Sequence, residues 1–521
     1  MGSQKCPVKV LFFNMENENK QLKYGALISY IAIAINTLTA LFYIPWMARK
    51  IGKSDYALYN LTFQFVNFFM LDFGLGAAVS RFLAKYRAEH DEKKANALVG
   101  TVTKLYLAID VLIIVVMVTI YFFIDQIYKG LTPQEIATFK PLYLIMASYS
   151  IISFPFMSLP GILTAYEKFI QVKLCDLGQR LLTVFLIILA IKKGYGVVEL
   201  ISANVISGLL ALLVKIIIVK RETPIRPDFH TKDVDIFKGI ITFSIWTAIV
   251  GICQRFIFNL APTILGIVSN SSEIALFSPA NSLEGYFYLF AAAVNGLFLA
   301  RISRYIADNR EDKIFDLMVK VGRYQLVVMG LIFIGFVCVG NDFMKLWMGA
   351  DYEGAALCAL LMFIPDLLLF TQQIANDTVI AKNEVKHYAF SNIGMAIICT
   401  LLSFPLSSRF GALGASIAIA VSYMFTFIYM NIVYYKRLGM DVFAFFKQCY
   451  GGFIIPYVFT LAISKLLLRY IKINGWKGLG IKSFLILLIY VILIWLLALK
   501  KEEKMFITEK LIHRNESEIS D

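Results

Sequence analysis

Runs of about twenty apolar residues, separated by short polar stretches, recur from Tyr24 to Leu499. A helix needs about that many residues to cross the ~30 Å hydrocarbon core of a bilayer, so the pattern restricts the chain to a bundle of membrane-crossing helices. The expected spans are 24–46, 58–80, 102–124, 141–165, 181–191, 197–219, 238–260, 282–300, 324–339, 353–375, 389–406, 411–434, 451–468 and 481–499. The fifth is short as written and is expected to begin near Val172. Composition agrees: 59% of the residues are hydrophobic and only 17% charged, where a soluble chain carries about a quarter. The expected class is an all-α polytopic membrane protein of about fourteen helices, with no separate soluble domain.

The net charge of +14 follows from the gathering of Lys and Arg in cytoplasmic loops and does not call for nucleic acid. Placing the N-terminus inside gives the inner loops more than twice as many Lys and Arg as the outer ones. Both ends are therefore expected in the cytoplasm, although the outer loops 49–53 and 465–482 run against the rule. Val10–Phe13 is too short for the core of a cleaved leader, and none is expected. The seven cysteines are scattered without a Cys-x-x-Cys, and the four histidines fall in expected loops. Neither pattern suggests a disulfide framework, a zinc site or a histidine proton relay.

One motif occurs twice. Asp72-Phe-Gly-Leu-Gly-Ala-Ala-Val-Ser-Arg81, continuing to Lys85, has a counterpart at Asn295–Ala307, where Ser303-Arg304-Tyr305 matches Ser80-Arg81-Phe82. Pro45 with Ala57-Leu58-Tyr59 matches Pro262 with Ala275-Leu276-Phe277, and Gly194-Tyr-Gly196 matches Phe410-Gly411. Each copy holds six spans, an even number, so the copies point the same way and are expected to form two lobes related by a parallel pseudo-two-fold. The resulting plan is a cytoplasmic segment 1–23, an N-lobe 24–219, a basic linker 220–237, a C-lobe 238–434, a helix pair within 450–500 and a cytoplasmic tail 501–521.

Charge inside a membrane helix costs about 3 kcal/mol and asks for a partner or a wet cavity. Arg255 in Ile-Cys-Gln-Arg-Phe, beside Gln254, is the deepest cation. Arg81, Arg301 and Arg304 lie at cytoplasmic span ends, and Arg180 near the start of the fifth span. Two readings stand for these arginines: a cationic path for an anionic headgroup, suited to the planar guanidinium, or snorkelling to the interface. The embedded acids are Asp72, Asp110 and Asp366, with Glu284 and Asp377 nearer helix ends. They read as ion-coupling candidates or as interhelical hydrogen-bond partners. Asp366 follows Pro365 and precedes Gln372, Gln373 and Asn376-Asp377, a polar face able to meet a cation or sugar hydroxyls; Asp72 is also a candidate partner for an arginine. No phosphate-binding Gly-rich loop and no catalytic triad with supporting context is present.

Pro45 leading to Gly52-x-x-x-Tyr56, the Asp72–Arg81 motif and Phe410-Gly411-Ala-Leu-Gly414-Ala415 together resemble the Wzx-type oligosaccharide flippases. These belong to the multidrug/oligosaccharidyl-lipid/polysaccharide (MOP) exporter superfamily, which also holds the MATE exporters and lipid II flippases. The likeness covers roughly residues 24–434. It implies two six-helix lobes working by alternating access, a polyprenyl-diphosphate-linked oligosaccharide as cargo, and an ion gradient (H+ or Na+) with no other cofactor. It also implies a monomer in the cell membrane, a non-enzyme, with polysaccharide polymerase and glycosyltransferases as pathway partners. A MATE-type cation-coupled multidrug antiporter is the alternative and should show acids rather than arginines in its cavity. A membrane glycosyltransferase or polymerase should carry a large outer loop, which this chain lacks.

Overall fold

The computed structural model describes residues 41–230, 234–292, 298–382 and 384–505, with positions 35, 37 and 39. The segment 1–23, the start of the first span, residues 293–297 of the second motif copy and residues 506–521 lie outside that set. A backbone in lipid must satisfy its own hydrogen bonds, and helices do so without a neighbour. The described residues accordingly form helices, with no strand among them. In chain order, α1 covers 41–51, then α2 Lys53–Phe69, α3 Leu75–Ala88, α4 Glu92–Phe122, the short α5 Ile124–Ile127, α6 Pro133–Ser153, α7 Leu159–Ala165, α8 Phe169–Lys192 and α9 Val197–Glu222. After the linker come α10 Val234–Phe258, α11 Leu260–Val268, α12 Ser271–Ala292, α13 Leu299–Ala307, α14 Asp312–Trp347, α15 Ala355–Phe370, α16 Gln373–Ala381 and α17 Val385–Leu438. The chain then adds α18 Val442–Tyr450, α19 Ile454–Leu468 and α20 Gly475–Leu493, which ends in a π turn, Ile494–Ala498.

Among the described residues, eight helices are long and apolar enough to cross a membrane, or up to ten if each bent pair is one span. That is fewer than the fourteen expected, because several spans are broken. The second expected span, 58–80, is cut between α2 and α3, where Phe73 (φ 53°) and Gly74 (φ 72°) are both left-handed. The fourth is cut by the 3-10 turn Phe154–Phe156, which contains Pro155. The tenth is cut at Thr371–Gln372. In the other direction, α17 runs 54 residues, about twice a bilayer crossing, and turns back on itself at Gly411 (φ 56, ψ −132). The fifth span starts at Phe169, a little before the expected Val172.

The chain divides into two compact units, Met1–Ala275 and Leu276–Asp521. In the first, α2 packs on α6 and α11, α8 on α9, and α10 on α3 and α4. Phe65, Tyr128, Phe139 and Tyr143 form a chain of edge and tilted ring contacts among these helices. In the second, α14 is the central post, touching α15, α16, α18, α19 and α20. Its buried face, including Leu326 and Ile334, meets Tyr434, Phe445, Ile486 and Tyr490.

Candidate functional site

The first polar centre forms where α2 stops. Ending a helix leaves carbonyls without intrahelical partners. Here α10 supplies donors: Arg255 gives Nη2–H to the Met70 carbonyl at 3.0 Å and Nη1–H to Asn259 Oδ1 at 3.4 Å. Its charge sits at a helix C-terminus, the end that favours a cation. Asn259 in turn donates to Gln64 Oε1, and Phe256 meets Phe68 edge-on at 4.9 Å. Ser244 Oγ donates to the Gly74 carbonyl at 3.3 Å. A Cβ at Gly74 would fall onto the Thr247 side chain, so this position needs glycine for space as well as for its positive φ. Among the described residues no carboxylate pairs with Arg255. It is a half-buried cation held by a carbonyl and an amide, with N–H donors left over.

Asp72 belongs to the same break. Its Oδ1 accepts from Gly76 N–H at 2.9 Å and from the Tyr106 hydroxyl, so it pins the start of α3, and among the described residues it pairs with no arginine. Asp110, on α4, is 5% exposed, and its Oδ1 has no hydrogen-bond partner among the described residues. Arg180, on α8, is half-buried and near enough to Tyr43 and Tyr59 to interact electrostatically, and the Tyr59 hydroxyl accepts from Asn204 at 3.1 Å. Gln254 is half-buried on α10 and Arg81 is exposed on α3.

The second polar centre lies in the second unit. Glu284 of α12 and Asp366 of α15 are 3% and 1% exposed and close enough to feel each other's charge. The Tyr423 hydroxyl of α17 donates to Glu284 Oε1 at 3.4 Å. Neither Asp366 oxygen has a hydrogen-bond partner among the described residues. Among the described residues no basic side chain pairs with either carboxylate, and two charges buried this way would be costly; the arrangement can hold a shared proton or a monovalent cation. Among the described residues no trio of His, Cys, Asp and Glu is gathered for a metal.

The expected polar face after Asp366 separates into three local arrangements. Gln372 and Asn431 exchange amide hydrogen bonds at 2.6 and 3.0 Å. Gln373 donates to Asp377 Oδ1 at 3.2 Å. Tyr450 satisfies the Leu367 carbonyl at 3.0 Å and pairs with Thr371, so the break in α15–α16 is sealed by side chains. Arg301 and Arg304 are exposed on α13, and Arg301 donates to its neighbour Tyr305 at 2.8 Å. Sequence reasoning did not single out Gln64, Tyr106, Asn259 or Tyr423. Each is a lone polar residue on an apolar stretch, and only the packing shows what it meets.

A family model described as polysaccharide biosynthesis protein matches residues 22–298. An uncharacterized membrane protein, EpsK of Bacillus subtilis (strain 168), is 19% identical over 502 residues, covering 92% of this chain and 96% of its own. The lipid II flippase MurJ in an inward closed conformation superposes with a TM-score of 0.69 at 15% identity, over 90% of this chain and 98% of MurJ. An inward-facing multidrug resistance MATE family transporter of the MOP superfamily gives 0.63 at 16%, over 78% and 96%. At these identities the likeness to solved structures is one of fold.

Proposed function

This chain belongs to the polysaccharide biosynthesis protein family, and on that footing we propose that it flips a polyprenyl-diphosphate-linked oligosaccharide from the inner to the outer leaflet by alternating access, driven by an ion gradient. It is a multi-pass membrane transporter with the fold of the MOP exporters. The observation that carries the choice of cargo is Arg255, a half-buried cation on an apolar helix that no carboxylate among the described residues neutralises, with guanidinium donors to spare. A diphosphate suits it: the planar fork meets two oxygens and stays charged at every physiological pH. The buried Glu284–Asp366 pair supports ion coupling, since each carboxylate can take up a proton or share a cation in one state of the cycle and release it in the other. An apolar groove of about 390 Å³, lined by Leu283, Phe287, Phe336, Phe363 and Leu487 among others, suits a segment of the polyprenyl tail. In this reading both termini are cytoplasmic, the protein acts as a monomer in the cell membrane, glycosyltransferases load the cargo inside and a polymerase consumes it outside.

The acid pair also favours a second reading, a cation-coupled multidrug antiporter. Arg255 separates the two. Arg255→Ala is expected to lower flipping of a polyprenyl-diphosphate sugar roughly 10- to 100-fold, the worth of a charge-assisted hydrogen bond of about 1.5–3 kcal/mol. Arg255→Lys should keep part of the rate, retaining charge without the fork. Normal flipping by Arg255→Ala at normal protein levels, together with export of cationic drugs, would turn the conclusion to the antiporter.

A further inference from the structure

Two ion pairs join the C-terminal hairpin, α19 and α20, to α14, and they stand about one hydrocarbon thickness apart. At one end Arg323, 3% exposed, donates from Nε to Glu503 Oε1 at 2.6 Å and from Nη2 to Glu503 Oε2 at 2.8 Å. The same guanidinium donates to the Ala498 carbonyl at 2.6 Å and the Gln448 carbonyl at 3.3 Å, and lies over the Phe453 ring at 5.0 Å. Glu503 also accepts from Lys500 N–H at 2.8 Å. Helix α14, the end of α18 and the π turn that closes α20 therefore meet at one side chain. At the other end Lys482 of α20 donates to Asp342 Oδ2 of α14 at 2.6 Å, with Trp476 edge-on to Phe343 close by.

Between the two pairs the hairpin is held without charge. Tyr490 donates to the Val327 carbonyl at 2.8 Å and Tyr457 to the Leu326 carbonyl at 2.6 Å. Both rings come this close because residue 330 is glycine; a Cβ there would overlap Tyr457. Helix α14 is continuous from Asp312 to Trp347, so the stretch from Arg323 to Asp342 covers roughly 28 Å at 1.5 Å per residue, against a hydrocarbon core of ~30 Å. Charged pairs are tolerated at the two faces of that layer and costly between them. The apolar groove, walled by Leu331 and Phe336 on α14 and by Leu479 and Ile486 on α20, lies along the interval.

We propose that Arg323, Glu503, Asp342 and Lys482 are positioning residues that fasten the hairpin to α14 at both membrane faces, so that α14 and α20 keep one separation through the transport cycle and the α20 wall of the groove is no gate. The groove's occupant rests on the flippase reading; the fixed wall does not. The test uses the full chain in lipid nanodiscs, cysteine-free apart from spin labels at Val328 and Leu488, which are exposed on α14 and α20. Electron–electron distances between the labels are measured alone, with undecaprenyl diphosphate, and in sodium or acid buffer. One narrow distance distribution, the same in every condition, is expected. A shift or splitting of several ångströms in the otherwise unmodified chain would overturn the proposal, whether or not the protein flips lipid. Asp342→Lys should broaden the distribution and Asp342→Lys with Lys482→Asp should narrow it again; no broadening in the single variant also overturns it. Glu503→Gln is the corresponding change at the other end, and if it does not fold the Asp342–Lys482 arm decides.

Discussion

Glu284 and Asp366 place two carboxylates in the interior of the second unit, where a charge on each is costly and no salt bridge to either forms among the described residues. Asp366→Asn relieves that cost. It is expected to leave the melting temperature unchanged or slightly raised, while flipping loses its response to the ion gradient. A fall of more than ~5 °C with the gradient response intact would make the pair structural instead. Asp72 is the contrasting case, an acid whose Oδ1 accepts from both the start of α3 and Tyr106. Asp72→Ala should cost about 1–2 kcal/mol, as loss of a capping side chain does, visible in thermal unfolding and without effect on ion dependence. Both acids look alike in the sequence: isolated, surrounded by apolar residues, near a helix breaker. What separates them is a partner 34 residues away for Asp72 and one 82 residues away for Asp366, and hydropathy carries no trace of either. Arg255 was legible as a deep cation. The carbonyl that holds it was not, because that requires knowing where α2 ends.

The helices themselves follow from apolar run length, and most expected spans overlap a described helix. Their interruptions are harder to read. Pro155 does mark the break after α6, but Pro365 lies inside α15 and the chain breaks only at Thr371–Gln372, where Tyr450 and Thr371 take over the freed carbonyls. Gly411 is the clearest glycine signal, since φ 56 with ψ −132 is open to little else. Gly411→Ala is expected to destabilise by about 1–3 kcal/mol, read as a lower melting temperature, while the same change at Gly335, whose Cβ would meet open space, should be nearly neutral. The C-terminal hairpin has a pH signature of its own. Burial works against the charged form of Glu503, but the Arg323 guanidinium and the Lys500 N–H hold its carboxyl below the usual glutamate range. The other charged groups around it among the described residues are Asp316, Lys320, the Lys500 ammonium and Glu502. A carboxyl depressed by folding contributes stability above its unfolded value and loses it as pH falls through the folded one. Thermal unfolding across acid pH should therefore show a loss below the ordinary glutamate range that Glu503→Gln lacks.

For the whole molecule, recurring apolar runs specify a helical membrane protein, and the Asp72–Arg81 and Phe410–Ala415 motifs resemble those of the MOP exporters. The fold agrees with that resemblance. The span count differs from the fourteen expected: among the described residues eight to ten helices are long and apolar enough to cross, since several expected spans are broken and α17 merges two. A transporter of this kind needs an energy source outside itself, and a membrane potential supplies about 2.3 kcal/mol per charge per 100 mV, enough to bias a two-state cycle. The most direct measurement reconstitutes the purified chain in proteoliposomes with a fluorescent undecaprenyl-diphosphate-linked sugar and follows its exposure to a quencher while a proton or sodium gradient is imposed, without nucleotide. Gradient-accelerated translocation that Arg255→Ala slows roughly 10- to 100-fold is the expected result; translocation that requires ATP, or none under any gradient, would contradict the assignment of this chain as an ion-driven flippase of lipid-linked saccharide.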